Sequence, residues 1–462
     1  MAEFPPRRRP RKNNNTPLIV LIFVMLAALI ALVALAVNLG PAPAEHPLQT
    51  TGQTEATTEA TTEATTQPTT EPPVTKSSTA TIGATGDILM HQLVIDSGYD
   101  SSAGVYDYNY IFEHFSQAVS QVDYAIANLE VTLCGKDNGY NYSGYPCFNS
   151  PDAILDALKN AGFDLLLTAN NHSYDTGSKG FARTQQVITE KGLAHIGSRP
   201  SLEDKSYRVV QVNDISIGMV NYTYNTGINA DGSVSLNGIK LSKDNSQLIN
   251  TFSYDALPAF YENLEQQIQD MKQEGAEAIV IYIHWGNEYN TKENSTQRAI
   301  AQQLCNLGID VIVGNHAHVP QPVQLLTNEQ NSDKKTLCLY STGNAVSNIY
   351  RNKKHPANTE DGMLFTFTFA KYSDGTVLVE SARVIPTWVY RYYEGNTRKF
   401  LVLVMDDTVS DWQSAMSLTD TQMKECQASY DRTMSIVGEG MLEANAYYEA
   451  NQNAIEAQLG IQ

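Results

Sequence analysis

Ala278-Ile279-Val280-Ile281-Tyr282-Ile283-His284-Trp285-Gly286-Asn287-Glu288 is the stretch that decides how this chain is read. Ala278 to Ile283 reads as a β-strand, and His284 closes it at the position where open α/β sheets place their ligands. The same arrangement recurs along the sequence. Asp87 follows the expected strand Thr79 to Ala84 in Gly86-Asp87-Ile88-Leu89, and Glu130 follows Val122 to Asn128 in Asn128-Leu129-Glu130. Asn171 and His172 follow Phe163 to Thr168 in Ala169-Asn170-Asn171-His172. His316 and His318 follow Ile309 to Val313 in Gly314-Asn315-His316-Ala317-His318, and Thr336 to Tyr340 ends in Ser341-Thr342-Gly343-Asn344. A lone histidine after a strand is more often a hydrogen-bonded loop residue than a ligand. Here four of the 9 histidines fall at such ends, together with two carboxylates and an amide. Imidazole nitrogen with carboxylate and amide oxygen suits borderline divalent ions such as Mn, Fe or Zn. Two such ions bridged by a carboxylate would lower the pKa of a shared water and clamp an oxyanion, as in phosphoester cleavage.

Around these sites the texture is that of an α/β domain, β-runs alternating with amphipathic helices. Further strands are expected at Tyr207 to Val212, Ile215 to Tyr222, Pro322 to Leu326, Met363 to Ala370 and Val377 to Ile385. Helices are expected at Pro151 to Asn160, Lys179 to Lys191, Tyr254 to Gln273 and Ser295 to Leu307, closed by Gly162, Gly192, Gly275 and Gly308. Repeated βα units followed by hairpins predict a mixed two-sheet β-sandwich flanked by helices.

The flanks differ in kind. Residues 1–17 form a basic arm containing Arg7, Arg8, Arg9, Arg11 and Lys12. Residues 18–39 contain the unbroken apolar run Leu18 to Val37, whose 20 residues at about 1.5 Å each span a hydrocarbon core of about 30 Å. The run is expected to be a transmembrane helix with its basic side in the cytoplasm and the globular part outside the cell membrane, a cleaved signal peptide being the alternative. Residues 40–78 are Thr, Glu, Pro and Ala with almost no apolar side chains, and are expected to form a disordered stalk. Residues 79–400 then form the domain, and 401–462 an acidic helical tail packed on the domain or engaging a partner. The net charge of −19 argues against nucleic acid as a partner. It would also repel an anionic polymer at long range, so such a contact must use local basic residues or bound cations. Among five cysteines, Cys134 and Cys147 flank a Gly/Asn/Tyr-rich loop and are a candidate disulfide outside the cell; Cys305 and Cys338 read as buried thiols.

From about Thr79 to Tyr390 the chain resembles the CapA family, named for poly-γ-glutamate capsule biosynthesis. The resemblance rests on Gly86-Asp87, Asn128 to Glu130, Ala169 to His172, His284 to Glu288, Gly314 to Pro322 and Ser341 to Asn344 in that order, with Phe148 to Pro151 alongside. It implies a calcineurin-like metallophosphoesterase fold, a two-sheet β-sandwich flanked by helices. It also implies Asp87 as first carboxylate ligand, Glu130 as bridging carboxylate, Asn171, His284 and His316 on one metal, and His318 on the other. His172 matches a catalytic histidine that stabilises transition-state charge or assists the leaving group. Phosphoesterases usually carry Asp-x-His where this chain has Asp87 followed by Leu89, so the site holds either one metal or two, and His91 is either a ligand or a surface residue. Trp285, Glu288 and Asn344 are expected around the mouth. Trp285 would stack on substrate or pack on the sheet, and Glu288 would be a general base or a loop cap. The implied partners are an anionic capsule or cell-wall polymer and a polymer synthase complex in the membrane. The competing functions are an extracytoplasmic metal-dependent phosphoesterase of wall-polymer or lipid-linked phosphate esters, and a non-catalytic polymer-binding or assembly module.

Overall fold

The computed structural model describes residues 74–137, 139–406 and 418–459. The expected basic arm, membrane span and stalk up to residue 73 lie outside the described residues. Among the described residues no helix is long and apolar enough to cross a membrane.

Two main sheets, of eight and seven strands, make up the domain. β1 is Lys76–Ile88, β2 Tyr124–Leu129, β3 Leu165–Leu167, β4 Ala194–Ile196 and β5 Tyr207–Val212. β6 is Ile215–Tyr224, β7 Thr251–Phe252, β8 Ala278–His284, β9 Val311–Asn315 and β10 Val323–Thr327. β11 is Lys335–Leu339, β12 Asn344–Val346, β13 Asp361–Tyr372, β14 Val377–Glu394 and β15 Thr397–Val404. The first sheet runs β15-β14-β13-β1-β2-β3-β4, with β12 beside the end of β1. Its strands β1 to β4 are parallel, and β13 to β15 continue it as an antiparallel meander. The second runs β7-β6-β8-β9-β11-β10, with β5 on β6, and its central β6, β8, β9 and β11 are parallel.

Parallel neighbours need crossovers, and helices supply them: Ala153–Asn160 and Gly177–Glu190 for the first sheet, Leu257–Gln273 and Ser295–Asn306 for the second. The last of these opens with a capping box, the Asn294 side chain accepting from the Gln297 amide while Gln297 reaches back to the Asn294 amide.

Alternation along the strands divides the core. In β8, Val280 and Tyr282 face the first sheet, while Ile279, Ile281 and Ile283 face the second sheet's helices. From the opposite sheet Ile82, Ala84, Phe365 and Phe367 meet the first of these groups. Each fully buried Ile or Phe contributes about 1.5–3 kcal/mol. The two sheets therefore form a sandwich whose parallel strands all end at one edge.

Two expectations change, and one open alternative is decided. The domain does not stop at residue 400, because β15 crosses that point and buries Phe400 and Val402. The helix Asp420–Leu459 packs on the domain, adding Val437, Met441, Ala444 and Tyr448 to the inter-sheet core. It is pinned there by Arg432, whose Nε donates to buried Asp361 Oδ2 at 2.8 Å. The structure holds no Cys134–Cys147 disulfide; Cys134 is buried and Cys147 exposed.

Candidate metal centre

Because the parallel strands end together, residues far apart in sequence converge. Asp87 lies near the end of β1, Glu130 just past β2, Asn171 and His172 past β3, His284 at the end of β8, and His316 and His318 past β9. Ligand atoms of Asp87, Glu130 and His284, and likewise of Glu130, His316 and His318, lie within 4.8 Å of one another. Glu130 belongs to both groups. All five side chains are buried.

His284 Nε2 is the point of closest convergence. It lies 2.8 Å from Asn171 Oδ1, 3.1 Å from His316 Nδ1 and 3.4 Å from Glu130 Oε1. Burial lowers the His284 pKa to about 3 and holds that of His316 well below the ordinary imidazole value. Both rings are therefore neutral, with lone pairs to offer. On the other side His318 Nδ1 lies 3.0 Å from Asp87 Oδ2 and 3.1 Å from Asn344 Oδ1. Burial opposes charge on both Asp87 and His318, but their mutual pairing outweighs it, lowering the Asp87 pKa and raising that of His318.

Glu130 is the exception. Both its carboxylate oxygens are buried and neither has a hydrogen-bond partner. Burial first, and then the neighbouring Asp87 carboxylate, raise its pKa well above the usual range. A carboxylate so placed is costly unless a cation shares the space. The donor set therefore fits a divalent ion: two neutral imidazoles, an amide oxygen and an orphaned carboxylate around one point, with Asp87 and His318 adjoining.

Local backbone supports this convergence. His316 and His318 have φ of 92° and 56°, in the left-handed region that glycine favours and other residues adopt at a cost of about 1–3 kcal/mol. Gly314, in β9 two residues before His316, cannot carry a side chain, since a Cβ there would fall 1.9 Å from Tyr340 O.

His172 stands beside the cluster. Its Nδ1 lies 2.7 Å from Asp175 Oδ2, and Asp175 is fixed in turn by the Phe148 amide at 2.7 Å. The imidazole edge packs on the Phe148 ring, with centroids 4.7 Å apart. Asn237, at the Asn237-Gly238 hairpin turn, lies with Nδ2 3.3 Å from His172 Nδ1 and 3.5 Å from its Nε2, and accepts from Asn171 Nδ2 at 3.1 Å. Sequence reading missed Asp175 and Asn237. The His-x-x-Asp spacing at His172 to Asp175 and the hairpin dipeptide Asn-Gly were the signals that could have found them.

The remaining candidates separate. Asn344 is buried and braces His318, donating through Nδ2 to the His318 carbonyl at 3.1 Å. Trp285, expected near the mouth, is fully buried, stacks on Tyr340 and donates to its carbonyl at 2.9 Å, so its faces are spent inside the core. Glu288 is exposed, beside the cluster. His91 does not join either carboxylate–imidazole group; it precedes the short helix Gln92–Ser97, its ring packs on Phe148, and its Nδ1 accepts the Asn348 amide at 3.3 Å. Asn128, quoted in the motif but given no role, donates through Nδ2 to Asp87 Oδ1 at 2.7 Å and so aims that carboxylate.

Fold and site together define a two-sheet α/β sandwich carrying a carboxylate–imidazole cluster at the carboxyl ends of its parallel strands. The family described as bacterial capsule synthesis protein PGA_cap matches residues 81–349, and the chain belongs to that family. It is 29% identical over 275 residues to the capsule biosynthesis protein CapA of Bacillus anthracis, covering 58% of this chain and 59% of the relative. It is 27% identical over 267 residues to the PGA biosynthesis protein CapA of Bacillus subtilis, covering 56% of this chain and 61% of the relative. The match thus spans about three fifths of the length of these relatives. Among solved structures, the NAD nucleotidase NadN of Haemophilus influenzae aligns over 82% of this chain and 61% of its own, with 12% identity and a TM-score of 0.38.

Proposed function

We propose that this protein acts outside the cell membrane in the synthesis or export of an anionic capsule polymer such as poly-γ-glutamate, anchored by its N-terminal apolar run. The polymer reading is supported by family membership and by the relatives' names; the anchor reading rests on the 20-residue run Leu18 to Val37 with basic residues before it. The observation that carries the metal site is Glu130, a buried carboxylate with neither oxygen hydrogen-bonded, beside two neutral imidazoles. Asp87, Glu130, Asn171, His284, His316 and His318 would hold one or two divalent ions. When bound, such an ion supplies an activated water and electrostatic stabilisation of an oxyanion.

The chain's own contribution follows from its hydrogen bonds. Asp175 holds the His172 Nδ1 side, and Nε2, 3.5 Å from Asn237 Nδ2, is the nitrogen that would meet a substrate oxygen. Asn237 fixes the ring from the hairpin side, and Phe148 sets its plane. This oriented His172–Asp175 pair is also what favours the second reading, a metal-dependent phosphoesterase over a purely structural module.

The test is metal analysis of the purified protein after loading with Mn, Fe or Zn. A screen of phosphomonoesters, phosphodiesters and γ-glutamyl peptides then follows. Bound divalent metal that Glu130→Ala abolishes is the expected result; absence of bound metal under all three loadings would overturn the metal site.

A further inference from the structure

The loop joining β12 to β13 carries Arg351-Asn352-Lys353-Lys354-His355, a basic run in a chain of net charge −19. Both ends of this loop are tied to the metal centre. At one end Asn344 braces His318, and the Asn348 amide donates to His91. At the other, the Thr359 carbonyl accepts from Asn344 Nδ2 at 3.0 Å. The tip is seated too: the His355 ring lies 4.8 Å from that of Tyr289, which itself lies 6.1 Å from that of His318.

The tip is also stiff. Asn352 Oδ1 accepts from the Lys354 and His355 amides at 2.7 and 3.1 Å, and the Asn352 amide donates to the His355 carbonyl at 3.0 Å. Arg351 is engaged with Glu360 and Glu425. Lys353 and Lys354 are exposed, and among the described residues neither has a carboxylate partner. Lys292, also exposed and likewise without such a partner, lies on the loop that carries Tyr289.

We infer that Lys353 and Lys354, with Lys292, form a docking subsite for the carboxylates of a polyanionic chain whose reacting or transported portion lies at the metal centre. The inference rests on the anionic-polymer reading given above and assigns it a binding surface. Its logic is electrostatic. At physiological salt, fields are screened beyond about 8 Å, so the chain's overall negative charge matters less to a docked anion than the cations within that distance. Ammonium groups on loops that reach the cluster through His355 and Tyr289 provide such contacts, and the backbone that carries them is held by Asn352. A polymer of carboxylates can use several point charges at once, and each contact raises the effective concentration for the next.

The test measures binding of fluorescently labelled poly-γ-glutamate to the full-length chain in neutral detergent. Arg7, Arg8, Arg9, Arg11 and Lys12 are replaced by Gln in both proteins compared, which removes the competing basic arm. K353E/K354E should weaken binding by about tenfold at low ionic strength, with the difference shrinking as salt rises. Metal content should stay at its starting value, since neither lysine touches the cluster. His316→Ala should show the opposite pattern, losing metal while retaining polymer affinity. Equal affinity of K353E/K354E and its parent, or tighter competition by polyphosphate than by unlabelled poly-γ-glutamate, would overturn the subsite. The metal-centre reading would stand in that case, because it is read from metal content alone.

Discussion

Replacing Glu130 by Gln should stabilise the protein without metal and destabilise it with metal. In the metal-free protein the two buried carboxylate oxygens lack partners, and each such buried polar atom costs about 1–3 kcal/mol. Glutamine removes the charge that burial and Asp87 oppose, and offers an amide donor to the Asp87 carboxylate beside it. The metal-free variant should therefore gain about 1–2 kcal/mol, one such penalty relieved and one retained. With metal the sign reverses. At a free concentration of about 100 Kd a bound ion stabilises the native state by about 2.7 kcal/mol, and losing the charged ligand removes most of that. Urea unfolding of wild type and variant, each with chelator and with saturating Mn or Zn, reads all four values. A Glu130→Gln effect of the same sign and size in both conditions would refute the argument that this carboxylate awaits a cation.

Three further outcomes follow from the same structure. His172→Ala should abolish turnover or polymer production by about 10² to 10⁴ while leaving metal content near wild type, whereas His316→Ala and Asn171→Ala should lower metal occupancy; metal analysis beside activity separates them. Arg432→Ala leaves the buried Asp361 carboxylate without its guanidinium and should cost about 3–5 kcal/mol, read from the urea midpoint, and an unchanged midpoint would deny the C-terminal helix its place in the domain. His195, remote from the metal cluster, has its pKa lowered by burial to about 4, so the unfolded chain takes up its proton first as pH falls. Stability should be full above about pH 6.5 and fall by about 3 kcal/mol by pH 4; His195→Gln should flatten that slope, and an unchanged slope would reassign it to another group.

Much of the fold was legible because buried strands carry local signals. Runs such as Ala278 to Ile283 and Val311 to Val313 are dense in β-branched residues, and the long helices are bounded by caps and glycines. β4 and β12 escaped notice because three residues are too few to show a period, and β15 because the acidic stretch beyond it dominated the composition. The helix Asp420–Leu459 was expected, either packed on the domain or engaging a partner; its apolar residues are too sparse to decide, and only the groove it fills makes Val437 and Met441 core.

The sequence alone determined which residue types stand at which strand ends, because that is a matter of order along the chain. It therefore named Asp87, Glu130, Asn171, His284, His316 and His318 as a set. Tertiary structure alone decided how they are used. That Glu130 belongs to both groups, that Trp285 is spent in the core, that Asn344 braces a ligand and that Asp175 and Asn237 hold His172 are facts of side-chain direction and burial. They depend on how two sheets pack and where one turn enters the left-handed region at His316. Apart from the local His172–Asp175 pair, no single stretch encodes them, because each contact joins segments tens to hundreds of residues apart, brought together by burying the apolar faces of both sheets.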